Sequence, residues 1–176
     1  MSELLDTIGS YVIGGVVLLL IVGFILYFND QSQETKLSQI SQVSIIEVGK
    51  IIENDFNKLG YRVTSGSKIQ AITSDSISFN GDVDNDGIID TITYSTYTQN
   101  QTLYLKRSTK GSVTGQWSMP IKSFTVQGYD SSGTATTQIS NIKSISFTLV
   151  ISEQTYSSSP TQVGASWVRV FYPKNL

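Results

Sequence analysis

"NDQSQETKLSQISQVSIIEVGKIIENDFNKLG", Asn29 to Gly60, is the stretch that decides how this chain is built. Leu37, Ile40, Ser44, Ile45, Val48, Ile52, Phe56 and Leu59 recur at steps of mostly three and four, the spacing that gathers side chains on one face of a helix. Glu34, Lys36, Lys50, Glu53 and Lys58 fall mostly off that stripe. Gly60 supplies a stop, and Lys58 stands in the last turn, where a cation suits the carbonyl end. Directly before this stretch runs "YVIGGVVLLLIVGFILYF", Tyr11 to Phe28, without a charge or a proline, and the first proline of the chain is Pro120. The expectation is one long helix over residues 1–60. Its membrane or filament core lies near residues 8–28, and its amphipathic half covers residues 29–60. A separate soluble helix behind a linker, "NDQSQ", is the alternative.

The apolar run suits a bilayer. Eighteen residues at about 1.5 Å each reach about 27 Å, close to a hydrocarbon core of about 30 Å. A cleaved secretory signal needs a basic start and a small-residue cleavage site. Here the start, "MSELLDTIGS", is acidic, and "YFND" is a poor site. A helix of a soluble core is not normally apolar on every side. The transmembrane reading is therefore preferred. The first positive side chain is Lys36, so the positive-inside rule has too little to assign an orientation.

After Tyr61 the period changes to two. "SISF" puts Ile77 and Phe79 on one face, "TITYSTY" Ile92 and Tyr94, "TLYLKRS" Leu103 and Leu105, and "SFTVQGY" Phe124 and Val126. "KSISFTLVIS" alternates Ile145, Phe147, Leu149 and Ile151 with polar residues and Val, and "SWVRVFY" sets Val168, Val170 and Tyr172 against Trp167, Arg169 and Phe171. Such alternation describes strands with one buried and one wet face. "YTQNQT", "STKGS", "YDSSGT" and "SSSPTQ" supply turn chemistry between them. No helix-length pattern interrupts the strands, so parallel βαβ units are not expected. The predicted class is α+β: a long amino-terminal helix packed on an antiparallel β-rich domain over residues 61–176.

Composition narrows the chemistry. The 176 residues hold 12 basic and 14 acidic side chains, a net charge of −2, with no Cys and no His. A near-neutral chain gives no basic face for nucleic acid. Without Cys there are no disulfides, thiolate zinc sites or cysteine nucleophiles. Without His the commonest general base and transition-metal ligand is missing. Carboxylate enzymes remain conceivable, but an enzyme is not the expectation. The charged fraction is only 15%, and the Ser-, Thr-, Gln- and Tyr-rich strands lean toward an extracellular or periplasmic surface.

One loop stands out: "GDVDNDGIIDTITY", Gly81 to Tyr94. Counted from Asp82, acids fall at positions one (Asp82), three (Asp84), five (Asp86) and nine (Asp90), with Gly87 at six. Calcium takes about six to eight hard oxygens, and an EF-type loop supplies them at positions one, three, five, seven, nine and twelve. Position seven, Ile88, offers its carbonyl, and position twelve is Thr93 in place of the usual bidentate Glu. The set Asp82, Asp84, Asp86, Ile88, Asp90 and Thr93 thus reads as a weakened calcium loop over residues 82–93, with the ion in a structural role. The plain alternative is a solvated acidic turn whose crowded charges repel one another. Magnesium suits it less, because a rigid octahedron usually keeps several waters.

In this order the pieces resemble the type IV pilin superfamily, and look most like its larger minor pilins and the J-type pseudopilin of type II secretion. The residues that carry the resemblance are the apolar first helix, "IIENDFNKLGYRV" at its end, "SISFNGDVDNDGIIDTITY" and "LYLKRS". In that group the helix commonly closes on an acidic residue, apolar positions and a Gly-Tyr pair, matched here by Asp55, Phe56, Leu59, Gly60 and Tyr61. The likeness covers roughly residues 1–107; the remainder matches only in its sheet-like texture. It implies insertion in the inner membrane, then extraction and packing of the first helices, with self or with related pilin subunits, into a filament core. Gly14 and Gly23 suit such packing, or are ordinary transmembrane glycines.

One departure matters. Pilin precursors carry a short basic leader and a Glu five residues into the mature chain. No such leader stands before Met1, and the nearby acids are Glu3 and Asp6. Either the numbering begins at a processed end, or that peptidase does not cut this chain. A free amine at Met1 could pair with Glu3 or Asp6 of a neighbour in place of the usual contact.

The functional expectation is a structural subunit of a pilus or pseudopilus-like filament, with a calcium-stabilised surface domain. The alternative is a single-pass surface or periplasmic binding module that never polymerises. A membrane-tethered hydrolase ranks third, for want of an assembled set of catalytic residues. "NQT" at Asn100 is a glycosylation sequon, and the many Ser and Thr admit O-linked sugars.

Overall fold

Residues 2–112, 114–154 and 162–176 are described by the computed structural model of the chain. The helix α1 runs unbroken from Ser2 to Asn57, 56 residues, or about 84 Å at the usual rise. No break occurs at "NDQSQ", so the linker alternative falls. Tyr11 to Phe28 are exposed on every side. An 18-residue window of this helix has a mean hydropathy of 2.6, which makes it long and apolar enough to cross a membrane. From Ser41 onward one face is buried: Ser41, Ile45, Gly49, Ile52, Asp55 and Phe56 in the helix, then Leu59 just past it. The stripe therefore begins at Ser41. Ile40, expected on it, lies outward and is exposed.

Among the described residues eight strands follow, all paired antiparallel. Sheet A is β1 (Ile69–Ile72), β2 (Ser76–Gly81), β3 (Asp90–Gln99), β4 (Thr102–Lys110) and β5 (Gly115–Ile121), in that spatial order. Sheet B is β6 (Ser123–Tyr129), β7 (Ser144–Gln154) and β8 (Gln162–Phe171). The α+β class stands, but the strands divide into two sheets. The β3–β4 hairpin turns at Asn100 and Gln101, both with positive φ (50° and 63°), as a tight two-residue turn between right-twisted strands requires. Pro120 lies in β5, an edge strand of sheet A, where its missing N–H costs no ladder bond.

The core forms where the inner faces of both sheets meet the buried face of α1. Phe56 is at its centre. Its ring centroid lies 4.6 Å from that of Phe79 and 6.1 Å from that of Tyr94 in sheet A, and 4.4 Å from Phe147 and 5.2 Å from Phe171 in sheet B. One helical side chain thus joins both sheets. On β8 the inward set is Trp167 and Phe171, while Val168, Val170 and Tyr172 stay exposed. Trp167 lies over Gly49, where an added Cβ would come within 3.0 Å of the indole. Helix and strand approach this closely because Gly49 has no side chain.

Candidate metal centre

The acidic loop connects β2 to β3 and is fastened to the end of α1. Gly60, at φ 73°, takes the left-handed conformation that ends the helix. Its N–H then donates to Asn80 O at 2.8 Å, and Asp82 N donates to Tyr61 O at 3.2 Å. The Lys58 ammonium donates to Val83 O. Gly81 passes so close that a Cβ there would lie 2.2 Å from the carbonyl oxygen of Lys58. Only glycine fits, and the loop is thereby held to the helix end from several directions.

Within the loop, carboxylate oxygens of Asp82, Asp84 and Asp86 lie within 4.8 Å of one another. That separation suits three oxygens sharing one ion at about 2.4 Å. The alternate-residue spacing read from sequence brings them together, because Asn85 (φ 67°) and Gly87 (φ 90°) coil the chain tightly. Backbone donors fix the carboxylates: Gly87 N to Asp82 Oδ2 (3.1 Å), Asp86 N to Asp84 Oδ1 (3.2 Å) and Ile88 N to Asp86 Oδ1 (2.7 Å).

Asp82 differs from the other two. It has no solvent exposure, and its Oδ1 is buried with no hydrogen-bond partner, while Oδ2 accepts from Arg62 Nη1 at 2.7 Å. A buried carboxylate oxygen without a donor is costly, and a cation held by this cluster would satisfy it. The donor set, hard and anionic throughout, fits a hard metal cation on that ground. Burial pushes the Asp82 carboxyl up, but the Arg62 hydrogen bond and the N–H groups of Gly87 and Asn85 outweigh it, and the net shift is downward. The Ser112 hydroxyl and then the Ile88 N–H hold Asp86 below the ordinary range.

Asp90 and Thr93, also expected as ligands, are placed differently. Asp90 is buried beneath the loop, its Oδ2 accepting from Val83 N at 3.2 Å. A Cβ at Gly111 would lie 1.8 Å from its Oδ1. Burial raises the Asp90 carboxyl; Val83 relieves this in part, and the charges of Asp84, Asp86 and Asp82 raise it further. Ile88 is exposed. Thr93 sits in β3 with its hydroxyl 3.0 Å from that of Ser78, three residues beyond Asp90, or about 10 Å along the strand. Among the carboxylates of the described residues, the cluster gathered in space is Asp82, Asp84 and Asp86. Two neighbours join it from elsewhere in the chain: Arg62, and Ser112, whose hydroxyl donates to Asp84 Oδ2 at 3.3 Å. Neither carries a sequence signal that ties it to the loop.

A second polar constellation lies in the core. Asp55 of α1 accepts from Tyr94 Oη (2.5 Å), Arg107 Nε (2.6 Å) and Arg107 Nη2 (3.0 Å). Burial first, then the Asp55 charge and hydrogen bond, raise the Tyr94 phenol well above its ordinary range. This bidentate pair fastens the helix to β3 and β4. The chain gives no match to protein-family models, to curated proteins or to solved structures.

Proposed function

We propose that the chain is a structural subunit of a pilus or pseudopilus-like filament, membrane-inserted before assembly, with its β domain at the filament surface. One observation carries this reading. The apolar face of α1 does not end with the bilayer-length run: Ile40, Val43 and Ile46 are 57%, 56% and 52% exposed on the side turned away from the domain. Ile40 lies 12 residues beyond Phe28, about 18 Å along the helix and outside a hydrocarbon core. A solitary tether has no use for bare aliphatic side chains there. Copies of the same helix, packed side by side, would cover both this face and the run below it. The acidic loop acts in this reading as a structural calcium site, bracing the surface domain against its helix. No catalytic role is proposed.

Electron microscopy of sheared cell-surface fractions tests assembly. Filaments containing this chain are expected, and Val43→Lys should abolish them while leaving the melting of the β domain unchanged. A chain recovered only as a monodisperse monomer in detergent would overturn the reading. For the ion, chelation should lower the melting temperature, and Asp84→Ala should remove that response; an unchanged melt on chelation eliminates calcium.

A second reading, a non-polymerising binding module, is favoured by the outer face of sheet A. There Tyr97 and Tyr104 stack at 5.3 Å, beside a shallow depression lined by Ser95, Lys106, Gln116 and Ser118. Glycan-array binding without any filament would support it.

A further inference from the structure

The acidic loop places four carboxylates in nine residues, and the cation that meets them is Arg62, from the segment that leaves the helix. Its guanidinium is 2.7 Å from Asp82 Oδ2; the Arg62 side chain is 47% exposed and that of Asp82 0%. Arg62 therefore reaches its buried partner from a half-exposed position. It does so from a left-handed backbone, φ 60°, uncommon for any residue but glycine, and with its guanidinium 5.3 Å from the centre of the Tyr61 ring. Its grip is partial, because Asp82 Oδ1 stays buried and unpartnered. A divalent ion held with Asp84 and Asp86 needs the same Asp82 carboxylate, and two cations crowded on one carboxylate repel each other.

We propose that Arg62 is the internal counter-cation of the site: its guanidinium neutralises Asp82 when no divalent ion is held, and is displaced when calcium enters. This rests on the reading of the loop as a calcium site. Displacement has a mechanical consequence. Arg62 belongs to the connection between α1 and β1, and that connection already shares backbone bonds with the loop at Asn80 and Asp82. Exchange of guanidinium for ion thus changes what holds the helix end to the domain. Arg62 lowers calcium affinity and, in return, keeps the ion-free loop closed.

Calorimetric titration of the full chain in detergent with calcium chloride tests this, on wild type, Arg62→Gln, Arg62→Lys and Asp84→Ala. Arg62→Gln should bind calcium about ten- to a hundred-fold more tightly, the factor that one hydrogen bond to a charged group is worth. Arg62→Lys, which keeps the charge without the planar fork, should fall between. Without calcium Arg62→Gln should melt below wild type, and at saturating calcium the two melts should converge. Binding by Arg62→Gln with none by wild type would also support the proposal. Equal affinities, or weaker binding by Arg62→Gln, would overturn it while leaving the calcium reading intact. If no variant binds and wild type does not, the calcium reading fails and this inference with it. Should Arg62→Gln not fold, Arg62→Lys binding no tighter than wild type overturns the proposal.

Discussion

Replacing Asp55 with Ala tests whether the helix is fastened to the domain by the buried pair. Asp55 is 1% exposed, and its oxygens take all three of the bonds from Tyr94 and Arg107. Truncation leaves a guanidinium whose side chain is only 15% exposed, and a phenol with no access to water. Removing one partner of such a pair costs about 3–5 kcal/mol, because the other charge stays buried. For a domain of this size each kcal/mol is worth about 2–4 °C, so the melt should fall by about 6–20 °C. Near-ultraviolet dichroism and fluorescence of the two tryptophans of the full chain in detergent are the assay, since the apolar half of α1 would stay helical throughout. Two companions sharpen it. Asp55→Leu with Arg107→Met, which removes both charges together, should recover most of the loss. Glu53→Ala, which breaks the exposed pair to Arg169 (2.9 Å, side chains 54% and 39% exposed), should cost at most about 1 kcal/mol. If Asp55→Ala melts no lower than Glu53→Ala, the buried pair is not what fastens the helix.

Gly49→Leu should lower stability by about 1–3 kcal/mol through overpacking, although leucine favours a helix over glycine by most of 1 kcal/mol. The Trp167 indole in its path should report the change in emission, and a variant that melts at or above wild type would show that the closeness of α1 and β8 is not needed. In alkaline solution Tyr94 should ionise last. Its folded-state pKa is raised, by burial first and then by Asp55, so its contribution to stability is whole below the unfolded value near pH 10 and is lost as pH rises toward the folded one. Tyrosinate absorbance should show one of the nine tyrosines titrating only with unfolding, and Tyr94→Phe should lack that step; one common step in a chain still folded by dichroism would refute it.

The two polar features sit at the same end of the same element. Asp55 is in the last turn of α1, and Gly60, Tyr61 and Arg62 follow directly. The core pair holds the helix to β3 and β4, and the acidic loop, between β2 and β3, holds the segment leaving it. A helix of about 84 Å is thus fastened near its base by the buried Asp55 pair and by the bonds to the acidic loop. The second of these would, under the proposal above, depend on what neutralises Asp82. Under the filament proposal, in which the apolar helix packs while the domain faces water, the base of the helix is where such control would have the most leverage.

What the sequence revealed was whatever a short run of residues decides by itself. The long helix follows from an unbroken apolar run joined to a three-four stripe, and β2, β3, β4, β6, β7 and β8 each show the alternation that names them. β1 escaped notice because it is four residues with one buried side chain. β5 was missed because its inward Trp117 and Met119 alternate with Gln, Ser and a proline that only an edge strand tolerates. The division into two sheets could not be read, since alternation tells which face is buried and not which strand lies beside it. The site shows the same boundary. Asp82, Asp84 and Asp86 come together because turn chemistry within the loop is local. Arg62, 20 positions from Asp82, and Ser112, 28 from Asp84, arrive through pairings that only the folded chain sets. An acidic loop in isolation reads as a cation trap; here the fold has already set a guanidinium on its most buried carboxylate, which a divalent ion would have to displace. Only the fold brings that guanidinium to Asp82, and under the proposal above the affinity of the loop for a divalent ion would depend on Arg62 as much as on the aspartates that reveal it.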